Sequence, residues 1–135
     1  MSYRYELTVK LYDTDAAGVL FFGHQFRLAH DAYQTYLESC GLSFAAVLDG
    51  GKMLIPLVHA EADYLKPVKV GDKLSIELTA EKISTHSFVL KYVLMRPEGE
   101  EVGTARTVHV TIDRATQTKI ALPVELREAL KKIAG

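Results

Sequence analysis

A single cysteine, Cys40, excludes an intramolecular disulfide and a cysteine-based zinc site in this 135-residue sequence. Charge of one sign is also missing: Lys+Arg 16 against Asp+Glu 17 leaves a net charge of -1, with no block that would serve as a nucleic-acid arm or a polybasic membrane patch. No stretch reaches the roughly 20 consecutive apolar residues of a membrane span. The opening MSYRYELTVK alternates polar and apolar residues where a signal peptide would carry its apolar core, so a cytoplasmic location is expected. The five histidines (His24, His30, His59, His86 and His109) lack HExxH or paired spacing, and no metal is expected. What the chain does have is 48% hydrophobic residues over a length that can bury one core, consistent with one domain over residues 1–135.

Tyr3, Tyr5, Leu7, Val9 and Leu11 alternate with polar residues, the period of a half-buried strand. After a DTDAAG segment, Phe22, Phe26, Ala29, Tyr33, Tyr36 and Cys40 fall on one face of a helix, with Arg27, Asp31, Gln34 and Glu38 opposite and Gly41 as the stop. A short helix is expected over 43–51, strands over 54–65, 73–83, 87–96 and 102–113, and a closing helix over 124–133 opened by Pro123. One long helix among five strands cannot build a wound βαβ sheet, so the class is α+β with an antiparallel sheet. In FVLKYVLM both Phe88/Leu90/Tyr92/Leu94 and Val89/Val93/Met95 are apolar. Both sheet faces therefore need cover, and one long helix supplies it for one face, so an oligomer is expected.

The DTDAAG segment fails as a calcium loop, because Ala17 and His24 stand where oxygen ligands are needed. Asp13 and Asp15 can both be read as turn residues bonded to loop N–H groups, with Gly18 at positive φ. Asp15 has a chemical reading as well. The first N–H groups of the helix, near Phe22 and Gly23, lack intrahelical partners and sit at the positive end of the dipole, where they can polarise a carbonyl. A carboxylate beside them can act as nucleophile or as base for water. No GxSxG elbow or partnered acid accompanies it, which favours a leaving group that departs unprotonated, as a thiolate does.

These residues resemble the 4-hydroxybenzoyl-CoA thioesterase branch of the hotdog-fold superfamily: YDTDAAGVLFF, then YLKPVKVGDKL at 64–74, HSFVLKYVL at 86–94 and GTARTVHVTID at 103–113. The resemblance implies a five-stranded coiled antiparallel sheet wrapped around one long central helix, protomers that join their sheets, and a homodimer or homotetramer with sites between subunits. It implies acyl-CoA thioester hydrolysis with Asp15 as catalytic carboxylate and the backbone N–H of Phe22 as carbonyl polariser. Coenzyme A is then part of the substrate and no separate cofactor is expected. IPLVHA at 55–60 and RTVHV at 106–110 are similar to segments of 1,4-dihydroxy-2-naphthoyl-CoA hydrolases of quinone biosynthesis, while DTDAxGVV and YLKP are shared with short-chain thioesterases of the Tol-Pal-associated type.

Gly18, Val19 and Gly23 are substrate-binding candidates, because small residues there let a ligand approach the backbone. His24 on the first helical turn, His59 in alternation with Glu61 and Asp63, and His86 at the head of a strand are further candidates; each is equally read as a hydrogen-bonding side chain. Lys66, Lys69, Lys91 and Arg106 are candidate partners for the CoA phosphates. Tyr33 and Tyr36 read as core.

Overall fold

The computed structural model of the protein describes residues 1–45 and 51–135. Strands β1 (Tyr3–Thr8), β3 (Leu57–Tyr64), β4 (Lys73–Ile83), β5 (Ser87–Met95) and β6 (Glu101–Val110) form one antiparallel sheet in the order β1-β4-β5-β6-β3. A separate pair joins β2 (Met53–Leu54) to β7 (Ile112–Asp113). Helix α1 (Phe22–Ser39) lies against the sheet, and α2 (Val124–Lys131) follows the last strand. This is the hotdog arrangement. Alternation explains it locally: Leu74, Ile76, Leu78 and Ala80 of β4 and Phe88, Leu90, Tyr92 and Leu94 of β5 are buried on the helix-facing side, at about 1.5–3 kcal/mol for each large side chain.

Three expectations need correcting. The strand expected over 54–65 is broken at Ile55–Pro56, since proline offers no N–H to a ladder, and its two parts pair with different strands. The strand over 102–113 divides likewise into β6 and β7. On α1 the buried residues are Gln25, Leu28, Ala29, Ala32, Tyr33, Tyr36 and Leu37, whereas Phe22 is 62% exposed and Phe26 and Cys40 are half-buried. The stripe is turned because a polar residue, Gln25, is fully paired on its donor side at the inward position. The short helix expected over 43–51 lies largely outside the described residues.

The second helix does not cover the far side of the sheet. Tyr36 donates its hydroxyl to Ala129 O at 2.5 Å, so α2 packs beside α1, and Leu126, Leu130 and Ile133 enter the same core. Val89, Val93 and Met95 on the other face stay half-buried. The edge strand β3 is exposed along nearly its whole length.

Candidate active site

The turn that precedes α1 is built by Asp13. Its carboxylate accepts the Lys10 N–H at 2.8 Å and pairs with the Arg27 guanidinium of α1, and its carbonyl accepts the Phe21 N–H at 3.0 Å. Buried to 2% exposure, Asp13 ties the strand end, the turn and the helix together. From Asp15 to Gly18 the chain makes a tight reversal: Gly18 N–H donates to Asp15 O at 2.9 Å and Asp15 N–H to Val19 O at 3.0 Å, with Gly18 at φ +80°. Asp15 is exposed, and its Oδ1 accepts the Ala17 N–H at 2.9 Å. Among the described residues nothing donates to its second carboxylate oxygen.

Phe21 enters α1 in an extended conformation, φ -65° and ψ 134°, and among the described residues no side chain caps the helix. The N–H groups of Phe22 and Gly23 have no acceptor among the described residues. The positive end of an 18-residue helix is thus left open, with no acidic side chain in its first turn. Gly23 allows this close start, because a Cβ there would meet the Phe21 ring at 3.0 Å. Tyr64 fixes the turn from the sheet by donating its hydroxyl to Phe22 O at 2.9 Å.

Asp15, Val19, Phe22 and Gln25 line one cleft of about 310 Å³ with Leu20 and the segment 64–68. That segment is held firmly: Leu20 N–H donates to Val68 O at 2.7 Å, Val19 bridges Lys69, and Arg96 reaches Pro67 O at 2.8 Å and Asp72 at 2.9 Å. The Lys69 N–H and then the Arg96 guanidinium hold the Asp72 carboxyl below the ordinary carboxylate range. The KPVKVGD sequence therefore supplies one wall of the cleft and the anion that anchors it.

Of the remaining sequence candidates, Lys66 borders the cleft and the others lie outside its lining. Gly18 forms the turn behind Asp15, and His24 packs edge-on against Phe21, 5.4 Å between ring centroids. His59 is exposed on the outer strand, 3.3 Å from Glu61, and His86 gives its carbonyl to the Thr111 N–H at 3.0 Å; neither borders the cleft. Lys66 lines the cleft, whereas Arg106 is engaged by Glu81 at 2.6 Å and by Glu61 at 2.9 Å, and Lys91 is exposed on the far face of the sheet. Tyr33 and Tyr36 are buried. Sequence reasoning missed Gln25 and Tyr64; the usable signal for Gln25 was its spacing of three from Phe22, which puts both on one helix face.

The profile of the Thioesterase-like superfamily matches residues 9–130. A 1,4-dihydroxy-2-naphthoyl-CoA hydrolase from Nostoc punctiforme is 37% identical over 131 residues, 97% of this chain and 88% of that protein. The corresponding hydrolase of Synechocystis is 35% identical, over 96% of this chain and 94% of its own. The crystal structure of a 1,4-dihydroxy-2-naphthoyl-CoA thioesterase from Synechocystis superposes with a TM-score of 0.93 at 34% identity, covering 98% of both chains.

Proposed function

The chain belongs to the thioesterase-like superfamily and is a thioester hydrolase, and from that premise we propose that its substrate is an aromatic acyl-CoA of the 1,4-dihydroxy-2-naphthoyl-CoA or hydroxybenzoyl-CoA type. One observation carries the chemistry: Asp15 and the open N–H end of α1 share a single cleft. The thioester oxygen accepts from the Phe22 N–H, and a preorganised donor there lowers the barrier by about 3 kcal/mol as charge builds on that oxygen. The unengaged oxygen of Asp15 attacks the carbonyl carbon, giving a mixed anhydride that water then hydrolyses to the acid and the free carboxylate, or it takes a proton from a water that attacks directly. Either way the carbon–sulfur bond breaks and the thiolate leaves without a proton donor, as a group with an ordinary pKa near 8.5 can.

The cleft wall is largely apolar, formed by Val19, Leu20, Phe22, Leu65, Pro67 and Val68, and suits a flat aryl group; Lys66 is the cationic side chain in the lining and serves the anionic end of coenzyme A. The exposed edge strand, with Leu57 51% and Val58 57% accessible, supports a homodimer or homotetramer in which a second copy completes the sites. We place the enzyme in the cytoplasm, at a thioester-cleaving step of quinone biosynthesis. A panel of CoA esters tests the reading: naphthoyl and hydroxybenzoyl esters should give the highest kcat/KM. Preference for short aliphatic esters would replace the aryl assignment, and tight ester binding without thiol release would make the protein a binder instead of an enzyme.

A further inference from the structure

Gln25 is the polar side chain that α1 turns inward, 3% exposed, in a cleft whose other inner residues are apolar. Its Nε2 donates to Asp63 O at 3.0 Å and to Thr104 O at 2.9 Å, two carbonyls that face one another across the β3–β6 pair. Both amide hydrogens are therefore used, and the flipped orientation would set the amide oxygen against two carbonyl oxygens. The orientation is fixed, and the oxygen left over is Oε1. Among the described residues nothing donates to it, yet it is not sealed away: the one buried polar side-chain atom without a partner is the Tyr33 hydroxyl. Gln25 lines the cleft, and Oε1 is the uncharged acceptor that its side chain keeps in reserve.

A fixed lone acceptor in an apolar wall selects for a donor on whatever fills the space, because a ligand without one leaves the oxygen desolvated and unpaired. Position decides which part of the ligand this is. Gln25 lies three residues along α1 from the Phe22 N–H, roughly 5 Å of helix rise, which is about the breadth of an aromatic ring. Its burial places it at the inner end of the cleft, whereas the coenzyme A arm must leave towards solvent. We infer that Gln25 is a specificity-determining residue whose Oε1 accepts a hydroxyl hydrogen of the acyl group, so that the enzyme distinguishes hydroxylated aryl thioesters from their unsubstituted counterparts.

Gly103 belongs to the same device. A Cβ at Gly103 would stand 2.7 Å from Gln25 Nε2 and 2.8 Å from Oε1, so the strand must carry glycine for the amide to keep its place. The inference rests on the aryl-CoA reading above, and its test separates the two. kcat/KM is measured for 1,4-dihydroxy-2-naphthoyl-CoA against 2-naphthoyl-CoA and for 4-hydroxybenzoyl-CoA against benzoyl-CoA. The wild type should prefer the hydroxylated ester by about tenfold or more in at least one pair, the value of one hydrogen bond. In Gln25→Leu that ratio should fall to within about twofold, mainly through KM of the hydroxylated ester. Gly103→Ala, which pushes the amide aside without deleting it, should do the same and stands in should Gln25→Leu fail to fold. A purely structural role predicts equal losses on both members of a pair; that result, or a wild type without hydroxyl preference, overturns the inference while leaving aryl-CoA hydrolysis intact. A wild type that cleaves none of the four esters removes the aryl reading itself, and this inference with it.

Discussion

Asp13 and Asp15 are two positions apart, and the fold treats them oppositely. Asp13 is 2% exposed, with its carboxylate shared between the Lys10 N–H and Arg27; Asp15 is exposed, with one oxygen bonded to Ala17 N–H and the other unengaged. A carboxylate with both oxygens engaged holds structure, and one with an oxygen to spare, beside open helix N–H groups, can do chemistry. On the proposed mechanism the two divide stability from turnover, and substitutions should separate them.

The largest effect is expected at the exposed member. Asp15→Asn keeps an oxygen for the Ala17 N–H, so thermal unfolding should match the wild type, while kcat falls by roughly two orders of magnitude or more. Near-normal turnover in the folded variant would sink the assignment. The reverse pattern belongs to Asp13→Ala: loss of the Lys10 contact and of the partner of a half-exposed Arg27 should lower the unfolding free energy by about 2 kcal/mol, seen in urea titration, with turnover per folded molecule much less affected than in Asp15→Asn. Unchanged stability would contradict the structural role.

A smaller contrast sets the cleft against the core. His109 is 2% exposed, bonded through Nε2 to Thr107 Oγ1 at 2.8 Å, which in turn meets Tyr92 Oη at 2.9 Å, and it packs between Phe88 and Tyr33 with His30 nearby. Burial, and secondarily His30, lowers its pKa from 6.5 to about 4. The unfolded chain then takes up a proton before the folded one does. Stability is unaffected above pH 6.5 and declines as the pH falls towards 4, by about 2 kcal/mol at pH 5. His109→Gln should be less stable overall yet lose less between pH 7.5 and pH 5 in urea titrations. An identical acid slope in both proteins would remove His109 from the account.

Much of this fold is legible from periodicity, because β4 and β5 bury every second residue and period-2 patterns declare themselves locally. The break at Pro56 was also available, since a proline inside an apparent strand should have divided it. The burial of Asp13 was less accessible: its partner Arg27 is fourteen residues away and meets it only once α1 is docked. Gln25 was hidden for the same reason. Its inward position depends on carbonyls of Asp63 and Thr104, which are brought together by the β3–β6 register and leave no trace in the local pattern. Local rules located the two aspartates and suggested their different roles, and the long-range pairing with Arg27 accounts for the structural one, Asp13.

The most direct measurement concerns a single hydrogen atom. Phe22 is the first residue of α1, where proline is tolerated, and Phe21 at ψ 134° already has the extended conformation that precedes proline. Phe22→Pro thus removes the N–H with the helix kept, and Phe22→Ala removes the side chain with the N–H kept. Single-turnover hydrolysis of the preferred aryl-CoA by the two folded variants should be slower for proline than for alanine by about 100-fold, the cost of one oxyanion donor. Equal rates would mean that the open end of α1 does not hold the thioester oxygen.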